Sequence, residues 1–204
     1  MRDIVMVVGS GMMGSGIGAM SALAGNKTVL VDTSAERAEN GRKKAIECIR
    51  LREENELNTH EEAEKAIELL STSDDSIKTA ENARLVIEAI IENVEAKQNL
   101  FAQLDAVLPV EVPICSNTSG LRITDISAKC VHPERTVTGT VRVLGGPLPV
   151  VPVRTQGEVP KEKVLEVARA LHHAAVPAPV QAGQVVLADV CGTGVAVVAT
   201  KNIG

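Results

Sequence analysis

Aromatic side chains are nearly missing from this sequence: Trp and Tyr are absent and Phe101 is the only Phe among 204 residues. A core must therefore be filled by Val, Ile, Leu, Met and Ala, without the rings that usually dominate buried area. The four cysteines, Cys48, Cys115, Cys130 and Cys191, are scattered and contain no C-x-x-C pair. That disfavours a zinc site and a disulfide framework and fits a reducing, cytoplasmic setting. Proline is missing from the first 108 residues, all nine lying beyond them. The first half can thus hold long unbroken helices, while the second is divided into short extended pieces. There is no basic excess: the formal net charge is -5, which argues against nucleic-acid and anionic-membrane partners and for a small-molecule ligand. No apolar run is long enough for a membrane span. Ile4 to Val8 is also too short for a signal core, and Val185 to Thr200 is interrupted by Asp189, Gly192 and Gly194, short of the roughly twenty residues a bilayer requires.

At 45% hydrophobic content the chain suits one globular domain with a short appendage, divided here as residues 1–182 and an apolar C-terminal segment 183–204, expected to be a packed tail or the start of a second domain. Ile4-Val5-Met6-Val7-Val8 is apolar throughout and ends at glycine, as expected of a parallel strand buried on both faces. Met13, Ile17, Met20 and Ala24 follow at helical spacing, so Gly14 to Ala24 is predicted to be a helix. Val29 to Asp32 reads as a second buried strand, and Thr33 with Glu36 as a capping box opening a charged helix to about Arg50. Thr59 and Glu62 repeat that pattern before Ala63, Ala66, Ile67 and Leu70, giving another amphipathic helix. Leu85 to Ile90 and Ile114-Cys115 read as strands flanking a helix that carries Leu100, Phe101, Leu104 and Val107. Thr136 to Val143 and Val150 to Val153 read as strands, Lys161 to Ala174 as a helix, and Val185 to Thr200 as a packed terminal segment. Sustained alternation of strand and helix predicts an α/β fold: a Rossmann-type, doubly wound, mostly parallel sheet.

Gly9-Ser10-Gly11-Met12-Met13-Gly14 has the form G-x-G-x-x-G between the first strand and the first helix. The first glycine permits the tight turn, the second lets backbone approach a pyrophosphate, and the third allows close packing of helix on strand. The helix N-terminus adds free N–H groups and a partial positive charge. Asp32 ends the second strand 18 positions beyond Gly14, where a carboxylate accepts from the ribose 2′-OH and repels a 2′-phosphate. The expected cofactor is NAD, bound by Gly9, Gly11, Met12, Met13, Gly14 and Asp32; FAD and S-adenosylmethionine use related turns. Residues 1–182 are accordingly expected to be the NAD-binding Rossmann-type domain.

With those elements in place, the chain resembles the N-terminal domain of the L-3-hydroxyacyl-CoA dehydrogenase family. The resemblance is carried by the Gly9 to Gly14 turn with Ser15-Gly16-Ile17, by Val31-Asp32, by Glu88-Ala89-Ile90-Ile91-Glu92-Asn93 with Lys97, and by Ser116-Asn117-Thr118-Ser119. It runs through roughly the first 140 residues. It implies that Glu92 and Lys97 lie near the nicotinamide half of NAD, and that Asn117 and Ser119 line the place where the 3-hydroxy or 3-keto group is held. Asn117 also counts among the implied cofactor contacts. The helical stretch from Ala35 to Leu70 resembles the family's helical hairpin, which touches CoA. An acyl-CoA thioester is the implied substrate, and fatty acid metabolism the implied context. The family's all-α C-terminal domain, which closes the cleft and forms the dimer, is not matched here, leaving a homodimer open.

Family members carry a His-Phe-Phe-Asn-Pro or His-Phe-Trp-Asn-Pro segment, whose His is the general base and is oriented by a Glu twelve residues later. Here Gly139-Thr140 is followed by Val141-Arg142-Val143-Leu144-Gly145, and the position twelve after Val141 is Val153. Valine cannot accept a proton, and a missing general base typically costs about 10² to 10⁴ in rate. His60, His132, His172 and His173 show no pocket pattern and suit surface or capping roles. Three readings follow: a dehydrogenase, a non-catalytic NAD-binding relative, or a scaffold that keeps the fold alone.

Overall fold

A computed structural model describes residues 2–138 and the backbone of two short strands near the C-terminus. The sheet begins with β1 (Ile4–Val8), β2 (Lys27–Val31), β3 (Leu70–Ser73), β4 (Ala83–Glu88), β5 (Ile114–Ser116) and β6 (Thr136–Thr138). These six pair in the order β3-β2-β1-β4-β5-β6, and every pairing is parallel. Parallel strands need crossovers on the faces, which the helices supply: α1 (Met12–Leu23), α2 (Ala35–Glu54), α3 (His60–Glu68), α4 (Ser76–Ala80), α5 (Val94–Val107) and α6 (Ile123–Ile126). The doubly wound Rossmann-type sheet is thus present, and α2 with α3 forms the hairpin inserted between β2 and β3. The remaining strands, β7 (Gln184–Val186) and β8 (Val198–Thr200), pair antiparallel.

Alternation along each strand divides the core in two. Val5, Val7, Leu30, Leu85 and Ile87 face Ile17, Ala19, Ala45, Ile49, Ala63 and Ala66 of α1 to α3. Met6, Val8, Val86 and Ile114 face Ala80, Phe101, Leu104, Ile123 and Ile126 of α4 to α6. The sole ring, Phe101, is fully buried in the second cluster. With so few large side chains, close approach of backbone replaces bulk, and the small residues of α1 allow it.

Three expectations are corrected. The cap of α2 is Ser34, whose hydroxyl accepts from Arg37 N, not Thr33; the Thr33 amide and hydroxyl instead donate to Asp32 Oδ1. Helix α1 begins at Met12 and α2 runs to Glu54, since frayed ends carry little sequence signal. Leu70 opens strand β3 and does not close a helix. Its side chain is buried in the same cluster either way, but its backbone joins the ladder of β2. The Thr59–Glu62 capping box is present in full. The strand expected over Thr136 to Val143 is described as far as Thr138. The elements expected at Val150 to Val153 and Lys161 to Ala174 lie outside the described residues, whereas β7 and β8 fall within or beside the expected terminal segment.

Candidate functional site

Strand order reverses between β1 and β4, so their carboxyl ends splay the following loops apart; in doubly wound sheets that crevice is where ligands bind. Backbone bonds continue past the strand ends and fix the loops: Gly9 N donates to Val31 O (2.8 Å), Ala89 N to Val8 O (2.8 Å) and Asn117 N to Glu88 O (2.8 Å). The first loop is the glycine turn. Gly9 has φ +94°, and a Cβ on Gly14 would stand 1.7 Å from Gly9 O, whereas one on Gly11 would meet nothing within 4 Å. The turn is therefore tight behind and open in front, the shape a diphosphate requires. Helix α1 starts there with Gly11 as its N-cap, no side-chain capping bond and no acidic residue in its first turn. Its first amides are left for an anion. Met12 is largely exposed beside them and Met13 is half-buried.

Asp32 follows β2 and reaches back into the turn. Its Oδ2 accepts from Ser10 N (2.9 Å) and Ser10 Oγ (2.7 Å), and its Oδ1 from Thr33 N (2.8 Å). Arg37 Nε lies 3.3 Å from Oδ1. Burial pushes this carboxyl upward, but the Ser10 and Thr33 hydrogen bonds and the Arg37 charge outweigh it and hold Asp32 below the usual range. It is a fixed anion at neutral pH.

Across the switch point, β4 ends in Glu88, which is fully buried. Its Oε1 accepts from Lys97 Nζ (2.5 Å) and Ile90 N (2.7 Å), and its Oε2 from Ser116 Oγ (2.5 Å). Lys97 is buried on α5 and also lies 3.4 Å from Oε2 of Glu92, whose side chain is 48% exposed. The Thr118 hydroxyl donates to Glu92 Oε1 and accepts from Gly120 N (3.3 Å) and Leu121 N (3.0 Å). The loop after β5 is held by Thr118, leaving Ser119 exposed and Asn117 half-buried on either side of it. One sheet edge thus brings together Gly9 to Gly14, Asp32, Glu92, Lys97, Asn117 and Ser119. Lys97 sits beneath Glu92 and not at the surface.

Sequence reading missed Ser10, Glu88, Ser116 and Thr118. A carboxylate closing an otherwise apolar strand, with a lysine nine positions on, was the available signal for Glu88. No histidine joins this edge among the described residues: His60 pairs with Glu53 (2.7 Å) on the hairpin, and His132 precedes β6 beside Glu134. His172 and His173 lie outside the described residues. The described residues contain no cluster of metal-ligating side chains and no helix long and apolar enough to cross a membrane. An open groove of about 660 Å³ runs elsewhere, past Ile4, Val29, Ser71, Ser73 and Lys78.

The profile of the family "3-hydroxyacyl-CoA dehydrogenase, NAD binding domain" matches residues 4–140. A second profile, for a protein of unknown function, matches residues 126–201. A protein of Bacillus subtilis named "Probable 3-hydroxybutyryl-CoA dehydrogenase" is 35% identical over 167 residues, covering 82% of this chain and 53% of its own length. The mitochondrial hydroxyacyl-coenzyme A dehydrogenase of Mus musculus is 33% identical over 136 residues, covering 64% of this chain and 43% of its own length. The chain thus spans about half the length of these relatives. The crystal structure of Mycobacterium tuberculosis FadB2 superposes with a TM-score of 0.74 at 28% identity, over 83% of this chain and 61% of that one. This chain belongs to the 3-hydroxyacyl-CoA dehydrogenase family, and residues 4–140 are its NAD-binding domain.

Proposed function

We propose that the chain binds NAD across the carboxyl edge of its sheet and serves hydride transfer between NAD and a 3-hydroxyacyl-CoA. The observation that carries this is the glycine turn, tight behind and open in front, with the ionised Asp32 fixed beside it. Gly9, Gly11, Met12, Met13 and Gly14 cradle the diphosphate, and Asp32 receives the adenine-side ribose and repels a 2′-phosphate. The second half of the dinucleotide then crosses the ends of β4 and β5, where Glu92, Lys97 and Asn117 stand. When bound, NAD supplies the hydride acceptor for oxidation of a secondary alcohol. Ser119 donates a hydrogen bond to the substrate oxygen, with Asn117 lining the same pocket. The acyl-CoA thioester is the small-molecule partner of this reading.

The absence of His, Asn and Glu at Val141, Leu144 and Val153 favours a second reading, in which NAD is held without turnover. NADH consumption with acetoacetyl-CoA, compared between the wild type and S119A, separates the two. Turnover that S119A loses supports the dehydrogenase. NADH binding without turnover supports the non-catalytic binder. Because the chain has no Trp or Tyr, NADH emission can be followed with little background from the protein.

A further inference from the structure

We propose that Glu88 is a positioning residue that competes with Glu92 for the charge of Lys97, leaving the three groups a net negative charge that favours oxidised over reduced cofactor. This rests on the reading of the sheet edge as an NAD site.

The geometry is a competition of two carboxylates for one ammonium. Lys97 Nζ lies 2.5 Å from Glu88 Oε1 and 3.4 Å from Glu92 Oε2. The nearer carboxylate is fully buried and receives two further hydrogen bonds, from Ile90 N and Ser116 Oγ, so it is fixed as the ammonium's principal partner. The Glu92 carboxylate stands at the surface, where the Thr118 hydroxyl donates to its Oε1. With two carboxylates and one ammonium the group carries one negative charge. A purely mechanical anchor for α5 would not need ions, because an apolar pair of similar volume is often as stable as a buried ion pair.

The location gives that charge a consequence. Asp32 and the glycine turn fix the adenosine and diphosphate on the β1–β2 side, so the nicotinamide half crosses to the β4–β5 side. Its ring is cationic when oxidised and neutral after accepting hydride. An anion at this position lowers the free energy of the oxidised form alone. Through a partly wet gap of several ångströms, one unit charge alters the ratio of the two affinities about three- to tenfold.

The test measures dissociation constants of NADH, by its emission, and of NAD+, by competition, for the wild type, E88Q, E92Q and the double variant E88Q/K97M. E88Q and E92Q bring the group to zero charge, so the ratio Kd(NAD+)/Kd(NADH) is expected to rise about three- to tenfold in each. E88Q/K97M removes one charge of each sign and keeps the net value, so both affinities fall with the loss of Lys97 while their ratio returns to that of the wild type. A structural role alone weakens both forms equally and leaves all ratios alike. Thermal melts run beside the titrations show which variants fold. Should E88Q not fold, half-exposed Glu92 and the charge-balanced double variant decide the matter. An unmoved ratio in E92Q, or a raised ratio in the double variant, overturns the proposal. Failure of the wild type to bind either nucleotide overturns the NAD reading itself, a result distinct from binding with an unmoved ratio.

Discussion

Ser10 and Asp32, 22 residues apart, are joined twice: the Asp32 carboxylate accepts the Ser10 amide at 2.9 Å and its hydroxyl at 2.7 Å. This pair locks the glycine turn to the end of β2, so the residue expected to select NAD also shapes the turn that receives the diphosphate. Asp32→Ala should weaken NADH binding about ten- to a hundredfold, the range for losing hydrogen bonds to a charged group, and should narrow the gap to NADPH. Asp32→Asn keeps an acceptor for Ser10 and separates collapse of the turn from loss of the ribose contact. Unchanged NADH affinity in both variants sinks the assignment. The Asp32 carboxyl is held below its usual value near 3.8. Its contribution is complete above that value and fades only as pH falls through the lowered one. Titrations between pH 8 and about 5 should show no weakening attributable to this group.

Gly14 faces a harder constraint, because a Cβ there would stand 1.7 Å from Gly9 O. Backbone cannot yield as a flexible side chain does, so Gly14→Ala must shift the start of α1 away from β1. A loss of about 1–3 kcal/mol is expected from such overpacking, read as a lower midpoint in urea. NADH affinity should fall with it, since the first amides of α1 move.

The legible parts of the structure were those with local or periodic signals. The apolar runs of β1 and β2, the glycine turn and the position of Asp32 all repeat known spacings. Strand β3 was not legible: Leu-Ser-Thr-Ser has little strand character, and its place comes from pairing with β2. The cap of α2 was misplaced by one residue because Thr33 and Ser34 are both good caps, and only the position of Asp32 decides which hydroxyl is engaged elsewhere. In the site, Glu92, Lys97, Asn117 and Ser119 stand at one edge of the sheet, but the ties that hold that edge together do not show in sequence. Ser116 meets Glu88 across 28 residues, a separation over which one sequence carries no pairing signal.

Phe101 is the only Phe, Tyr or Trp in the sequence and is fully buried against α4, α6 and the sheet. No neighbouring ring can expand into the space it leaves. Phe101→Ala should therefore cost about 3–5 kcal/mol, while Phe101→Leu, which retains most of the volume, should cost under about 1.5 kcal/mol. Chemical denaturation at neutral pH measures both. Similar small losses in the two variants would mean that the aliphatic core repacks more freely than its close contacts suggest.

The edge of the sheet at β6 is tied by a second buried ion pair. Arg135 Nη2 lies 2.6 Å from Asp105 Oδ1, with both side chains out of solvent, and Nε donates to the same oxygen at 2.8 Å. The remaining guanidinium protons go to the carbonyls of Asp105, Leu108 and Pro109, while Asp105 Oδ2 accepts from Val131 N and His132 N. Burial alone would raise the Asp105 carboxyl, but the His132 and Val131 amides and Arg135 more than offset it and hold it below 3.8. Asp105→Asn leaves a buried cation unpaired and should cost about 3–5 kcal/mol at pH 7. The pH dependence carries the sign of a depressed acid: the stabilisation is complete above about 3.8 and is lost as pH falls through the folded-state value. Wild type and variant should therefore differ most at neutral pH and converge in acid. A difference that stays constant from pH 7 to pH 3 would show that Asp105 acts through shape and not through its charge.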